Sequence, residues 1–454
     1  MKGMHIGVFG AGVSGIGAAE VLIGQGAKVT LFDERDDEAS QKRLEALGLD
    51  MELALGKAAV GRLRAMDKVV LSPGISIYHP EIEAAKAAGV EVMSEVELAY
   101  RLTKAKIIAI TGTNGKTTTT TLVGEIMQKM PVKVAVGGNI GQALSKEGLS
   151  VGAGDWLVAE ISSFQLEGAL TFCPHIAAIL NITPDHIDRH KTFEGYVAAK
   201  EEVFRRQKEY DFLVLNYDDE IVRSMAAKSH AQVFFFSRKE KLAKGFYVED
   251  GWMVAKLATE YKKIAPVSEL QIIGGHNVEN ALAAIACTYL AGVPESIIRE
   301  TLAAFAGVEH RIELVKKING VPYYNDSKAT NPESTIKALE AFDGGILLLA
   351  GGHDKMTDLS AMMALVKERT DALILFGEAE ARFDEAAQAA GVRNIHRCGM
   401  DFEAAVQLAH ELAKPQQIVL LSPACSSYDI FDNYEQRGRV FKELVSGLES
   451  TGKR

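Results

Sequence analysis

Cysteine is scarce in this chain: four among 454 residues, Cys173, Cys287, Cys398 and Cys425, with no C-x-x-C pair. That scatter excludes a disulfide scaffold and a zinc knuckle, and it points to a reducing, cytoplasmic setting. Positive charge is also short. Fifty Lys and Arg against sixty Asp and Glu leave a formal charge of -10, so duplex nucleic acid, which needs a basic footprint, is not an expected partner. No apolar run is long enough to span a bilayer, no signal peptide precedes the first strand, and membrane insertion is not expected. Low-complexity linkers and solenoid-length repeats are missing too. What the chain does have is 47% hydrophobic residues and 41 glycines, a composition that suits strands joined to helices by tight turns. Its length exceeds one ordinary core, and three domains are expected, at 1–95, 96–306 and 307–454.

The central stretch is Ile107-Ile108-Ala109-Ile110-Thr111-Gly112-Thr113-Asn114-Gly115-Lys116-Thr117-Thr118. An apolar run enters a Gly-containing loop, and Lys-Thr opens a helical pattern through Leu122, Val123 and Ile126. Strand, phosphate loop and helix in that order aim free N–H groups and a helix dipole at one small volume, which a polyphosphate fits. Lys116 reaches the terminal phosphates as a point charge, and the Thr117 hydroxyl is placed for Mg²⁺. The general pattern G-x-x-x-x-G-K-[ST] would have Gly at 110. Ile110 makes this loop a variant.

Towards the N-terminus, His5 to Phe9 reads as a strand, followed by Gly10-Ala11-Gly12-Val13-Ser14-Gly15, a helix, and a second strand from Lys28 that ends at Asp33. A G-x-G-x-x-G loop with an acid about twenty residues on is the Rossmann pattern. Alone it suggests NAD, although any nucleotide carrying a pyrophosphate would serve. Ser72-Pro73-Gly74 turns off a strand at the same edge, and as a bare tripeptide it could be a turn and nothing more.

After the phosphate loop, predicted strands at 132–136, 156–161, 176–182, 212–216 and 233–236 alternate with helical patterns, which argues a parallel sheet covered on both faces. Its carboxyl-edge loops hold Asn139, Glu160 to Gln165, and Asn181 to His186. Glu160 beside the phosphate loop is a candidate metal carboxylate. His186 and His190 have the i, i+4 spacing of a zinc pair but lack the Glu of H-E-x-x-H and a third ligand. Lys200 lies on a predicted helix over 193–207, where a solvated face is the default reading. Asn277 and Asn280 share one face of an Ala-rich helix. In the last third, predicted strands at 312–315, 321–324, 346–350, 372–376 and 418–421 repeat the alternation. Asp326, Lys328 and Thr330 alternate in a turn after one of them. Cys425 could be read as a nucleophile, but a small packed thiol suits it better.

Taken together, Thr111 to Thr117, Glu160-Ile161-Ser162-Ser163-Phe164-Gln165, Asn181 to His186, His276 to Asn280 and His310-Arg311 resemble the ATP-dependent Mur ligases of peptidoglycan synthesis, over the whole chain. Ile110 fits that family's loop. Asn325 to Asn331, Ser422 to Asp429 and Asn433 to Gly438 look like the member that adds D-glutamate to UDP-N-acetylmuramoyl-L-alanine.

The resemblance implies an α/β protein of three domains: a Rossmann-like domain for the UDP-substrate, a central P-loop ATPase-like parallel sheet, and a Rossmann-like C-terminal domain. It implies that ATP phosphorylates the substrate carboxylate and that the incoming amine displaces phosphate. Lys116, His186 and Lys200 are then catalytic. The ATP phosphates fall to Gly112, Thr113, Asn114, Gly115, Lys116, Thr117 and Thr118, and adenine and ribose to Asn277, Asn280, Arg311, Asp326 and Lys328. The UDP-substrate falls to Val13, Ser14, Asp33, Arg35, Ser72 and Gly74, with Asn139, Ser162 and Gln165 on the central domain. D-Glutamate falls to His186, Thr330, Lys355, Ser427 and Tyr434. Two Mg²⁺ are implied, with Thr117, Glu160, His186 and a carbamylated Lys200 as ligands. A monomer is expected.

Overall fold

Three sheets organise the chain, which a computed structural model describes over residues 1–448; the last six residues of the expected third domain lie outside the described residues. The first sheet holds β1 (His5–Phe9), β2 (Lys28–Asp33), β3 (Glu52–Leu55), β4 (Lys68–Leu71) and β5 (Glu91–Ser94). All are parallel, in the order β3-β2-β1-β4-β5. Alternate side chains separate two cores. Ile6, Val8, Leu31 and Val70 pack on one face, and Phe9, Phe32, Val69 and Leu71 on the other, as a parallel sheet buried on both sides requires. The order reverses beside β1, and the glycine loop leaves that strand into the helix Val13–Gly24.

The second sheet comprises β6 (Lys106–Thr111), β7 (Val134–Gly138), β8 (Trp156–Glu160), β9 (Ile176–Ile179), β10 (Phe212–Asn216), β11 (Gln232–Ser237), β12 (Gly245–Glu249), β13 (Trp252–Lys256) and β14 (Tyr261–Pro266). Its order is β14-β13-β12-β11-β10-β9-β6-β8-β7. The expected parallel sheet is there, and it carries an extension that periodicity did not reveal: β12 adds in parallel beyond β11, and β13 and β14 run antiparallel beyond β12. The phosphate loop leaves β6 between β9 and β8, so the loops after those strands converge on it.

The third sheet has β15 (Glu313–Ile318), β16 (Val321–Asn325), β17 (Ile346–Gly351), β18 (Thr370–Phe376), β19 (Ile395–Arg397) and β20 (Ile418–Leu421). They lie in the order β15-β16-β20-β17-β18-β19, antiparallel only at the β15–β16 hairpin. By packing, the chain forms two compact units. One holds the first two sheets with Glu279–Ala303, and the other holds Leu270–Val278 with the chain from Ala304 onward. No helix among the described residues is long and apolar enough to cross a membrane.

Candidate active site

In the first unit the phosphate loop is stitched down from its side. Thr113 N–H donates to the Asn181 carbonyl at 2.9 Å, Asn114 N–H donates to Asn181 Oδ1 at 2.8 Å, and Asn181 Nδ2 returns a bond to the Asn114 carbonyl. The Thr113 hydroxyl meets the Tyr196 hydroxyl at 2.9 Å and accepts from Thr183 N–H. Gly115 caps the helix Lys116–Met127 in a left-handed conformation, φ 84°. A Cβ there would lie 2.2 Å from Asn280 Oδ1, so only glycine lets Asn280 approach the loop. Tyr196 carried no sequence signal; it reads as one more aromatic on an amphipathic helix.

Lys116 and Lys200 converge on a single acceptor. Their Nζ atoms donate to the Gly112 carbonyl at 2.9 and 2.8 Å. The solvated-face reading of Lys200 is therefore overturned: its helix, Phe193–Glu201, ends earlier than expected, and the side chain is 1% exposed. Burial first, then the nearby Lys116 cation, holds the Lys200 amine well below the usual lysine range. Its Nζ lies 4.7 Å from the Tyr196 ring centre.

Glu160 ends β8 and is buried. One oxygen, Oε1, accepts from Asn139 Nδ2 at 2.8 Å, whereas Oε2 is buried with no hydrogen-bond partner. The hydroxyl of Thr118, in the first turn of the phosphate-loop helix beside Thr117, is likewise buried and unpartnered. An orphaned, acceptor-only carboxylate oxygen beside a phosphate loop fits a hard divalent cation. His186 stands in a left-handed backbone conformation, φ 52°, before the short helix Ile187–His190, with its side chain half exposed and its ring centre 4.7 Å from that of Phe164. His190 is buried instead; its Nε2 pairs with Ser163 Oγ at 2.9 Å and its Nδ1 lies 3.1 Å from Glu167. Zinc gains no support, because both His190 nitrogens are engaged by Ser163 and Glu167.

Around the glycine loop, Asp33 accepts from Ala11 N–H at 2.9 Å and from Arg35 through its main chain, Nε and Nη2, each at 3.0 Å. Burial opposes its ionisation, but the bonds from Arg35 and Ala11 outweigh it and hold the carboxyl down at about 2. A dinucleotide fold offers this acid to a ribose hydroxyl; here both oxygens are engaged by the chain. Val13 is exposed, Ser14 half-buried, Ser72 buried and Gly74 exposed at the neighbouring turn. Ser162 and Gln165 form a capping box on Ser163–Leu166, which leaves Gln165 Nε2 buried and unpartnered.

The second unit gathers the remaining candidates. A small cleft of about 120 Å³ has Ile272, Ile273, Leu314 and Tyr324 as apolar walls and Asn277 and Arg311 among its polar ones, a lining whose chemistry suits a flat heteroaromatic base. Arg311 Nε is buried without a partner. Asp326 accepts from Ser422 Oγ at 2.8 Å and Ile312 N–H at 3.3 Å, and burial pushes its carboxyl up to about 7 against the pull of Arg311 and Ser422. Lys328 Nζ lies 5.5 Å from the Tyr434 ring centre. The exposed Lys355 donates to the Thr330 carbonyl at 3.3 Å, and Ser427 is buried. Arg437, fully buried, joins both loops: it donates to Ser327 Oγ and to the carbonyls of Ser327, Cys425 and Ser426. Its place inside Asn433 to Gly438 was legible, but this role was not, since backbone acceptors leave no mark in sequence. Cys425 is a packed thiol, pushed up to about 12 by burial.

Three family models match the chain in order: Mur ligase MurD-like, N-terminal domain, over residues 4–94; Mur ligase middle domain over 110–288; and Mur ligase, glutamate ligase domain, over 310–425. A UDP-N-acetylmuramoylalanine--D-glutamate ligase of Caldanaerobacter subterraneus is 45% identical over 450 residues, 99% of each chain. The enzyme of that name from Acidobacterium capsulatum is 45% identical over 452 residues, 98% of this chain and 96% of its own. Among solved structures, UDP-N-acetylmuramate-alanine ligase from Thermotoga maritima shares the fold at a TM-score of 0.61 and 19% identity, covering 98% of this chain and 99% of that one.

Proposed function

The chain belongs to the Mur ligase family, and from that premise we infer that it uses ATP to join D-glutamate to UDP-N-acetylmuramoyl-L-alanine in peptidoglycan precursor synthesis. The structural observation that carries the chemistry is the meeting of Lys116 and Lys200 at the Gly112 carbonyl, beside the orphaned oxygen of Glu160.

A carboxylate is a poor acyl donor, and its attack on a γ-phosphate brings two anions together. One carboxylate oxygen bonds to phosphorus as the β–γ bridge breaks and ADP leaves. The amine nitrogen of D-glutamate then attacks the acyl carbon, the C–O bond to phosphate breaks, and the nitrogen loses a proton as the amide forms. The ammonium of Lys116 neutralises charge that develops on the transferring group. Thr113, Asn114, Gly115, Thr117 and Thr118 cradle the phosphates at the helix N-terminus. Two Mg²⁺ fit the donor set of Thr117, Glu160, His186 and a carbamylated Lys200, and when bound they supply further charge neutralisation at the phosphates. A neutral, buried amine is the form that adds to CO₂, which supports carbamylation of Lys200: its lone pair forms an N–C bond and a proton departs, leaving a carboxylate-like group.

The base and ribose are assigned to Asn277, Asn280, Arg311, Asp326 and Lys328. Val13, Ser14, Asp33, Arg35, Ser72 and Gly74 take the uracil nucleotide, with Asn139, Ser162 and Gln165 towards the reacting end. Thr330, Lys355, Ser427 and Tyr434, with His186, hold D-glutamate. These roles go with domains at 1–95, 96–306 and 307–454, a cytoplasmic location and a monomer. Phosphate release from ATP with UDP-N-acetylmuramoyl-L-alanine tests the reading. D-Glutamate should be the productive amine among D-glutamate, L-glutamate, L-alanine, L-lysine and diaminopimelate; a better rate with L-lysine or diaminopimelate would refute the assignment.

A further inference from the structure

Arg189 lies three residues beyond His186 and ties together three loops of the first unit. Its Nη1 donates to the Pro73 carbonyl and its Nη2 to the Ile75 carbonyl, both at 2.8 Å. Nη2 also donates to Glu167 Oε2 at 3.0 Å. The guanidinium carbon sits 4.1 Å from the ring centre of Phe164, and that ring is in turn packed edge-on against His186, centre to centre 4.7 Å. The planar fork thus clamps the turn after β4, the loop after β8 and the segment bearing His186.

Stability alone is a poor account of this arrangement. Arg189 is 12% and Glu167 5% exposed at their side chains, so both ions lose most of their hydration, and Arg189 Nε remains buried without a partner. Buried pairs of this kind contribute little net stability compared with well-packed apolar groups, because desolvation offsets the attraction. What the fork does supply is geometry. Two parallel N–H groups fix the 72–75 turn relative to the guanidinium plane, and stacking on Phe164 fixes that plane relative to His186.

We propose that Arg189 is a positioning residue that couples the seating of the UDP-substrate at the Ser72–Gly74 turn to the placement of His186 at the reacting end. This rests on the reading of that turn as part of the substrate site. A substrate group that orders the turn also orders its carbonyls, and the two bonds pass that order to the helix Ile187–His190. A lysine at this position keeps the charge but cannot address two carbonyls and Glu167 from one rigid plane.

Hydrogen–deuterium exchange, with and without UDP-N-acetylmuramoyl-L-alanine, reads the coupling directly. In the unaltered protein, substrate should slow exchange both at 10–15 and 72–76 and at 183–190. In Arg189→Lys the first protection should persist and the second should be lost. In steady state, kcat should fall by about tenfold or more while the ATP KM changes by less than about twofold. Protection of 72–76 with none at 183–190 in the unaltered protein would overturn the coupling without any variant. Equal protection of both segments in Arg189→Lys would overturn it too. Absence of protection at 10–15 and 72–76 in the unaltered protein would instead refute the substrate-site reading, and this inference with it.

Discussion

Asn139 and Glu160 are joined twice: Asn139 Nδ2 donates to Glu160 Oε1 at 2.8 Å, and Asn139 N–H donates to the Glu160 carbonyl at 2.9 Å. The second bond depends on Gly138, at φ 109°, where a Cβ would come within 2.3 Å of that same carbonyl oxygen. One carboxylate oxygen is thereby fixed, and the other is left buried and unpartnered. The loop proposed to face the substrate and the residue proposed to hold a cation are therefore a single rigid piece.

Glu160→Gln tests that piece. It keeps the shape and an acceptor but removes the charge, so the Mg²⁺ concentration for half-maximal rate should rise at least about tenfold, as loss of a charged oxygen ligand requires. UDP-substrate affinity by calorimetry should hold within about threefold. An unchanged Mg²⁺ requirement would remove Glu160 from the cation site.

Asp326 gives a pH signature in stability. Its carboxyl titrates at about 7 in the folded chain, chiefly because burial disfavours the charge, against an ordinary 3.8. Between those values the native state binds a proton that the unfolded state has released, so stability falls as pH rises from about 4 to about 7 and levels off above. The fall is on the order of a few kcal/mol. Asp326→Asn cannot titrate, and denaturant unfolding from pH 4 to 8 should show that part of the slope removed. Parallel slopes in the two proteins would contradict the buried, protonatable carboxyl.

Lys355 tests the amino-acid site. It is exposed and donates to the Thr330 carbonyl at 3.3 Å, a long bond that leaves its ammonium able to meet the side-chain carboxylate of D-glutamate. Lys355→Ala should raise the D-glutamate KM about tenfold or more, the loss of one charge-assisted bond, and the ATP KM much less. Equal rises would mean that the lysine serves both substrates or only the fold.

Phosphate loop and glycine loop were legible in the sequence because their physics is local: glycines, a lysine and a strand-to-helix switch at fixed offsets. The strand alternation around those loops was legible for the same reason, whereas the short strands β3, β5, β12 and β19 were not. Lys200 was not. Its contact with the Gly112 carbonyl spans 88 residues, and the periodicity of its helix says nothing about which loop covers it. The roles of Arg189 and Arg437 were silent as well, since both act mainly on backbone carbonyls. The β13–β14 extension escaped because Trp252 to Lys256 and Tyr261 to Pro266 are short and flanked by charge, and pairing with a neighbouring strand, not local preference, holds them.

Lys200 carries the sharpest test. Its amine is buried, shares the Gly112 carbonyl with Lys116, and is held well below the usual lysine range by burial and then by Lys116. An unprotonated amine adds CO₂ readily, and a carbamate formed here would keep one N–H for Gly112 and offer two oxygens to a cation. Lys200→Ala should lose most activity, on the order of a hundredfold or more if a cation ligand and its charge are both removed. Acetate should restore part of it by filling the vacated volume with a carboxylate, whereas ethylamine, which returns a cation, should not. Depleting dissolved CO₂ from the unaltered enzyme should slow it, and added bicarbonate should reverse the loss. Rescue by ethylamine instead of acetate would show that a positive charge is wanted at this position, and near-normal turnover in Lys200→Ala would end the carbamate reading.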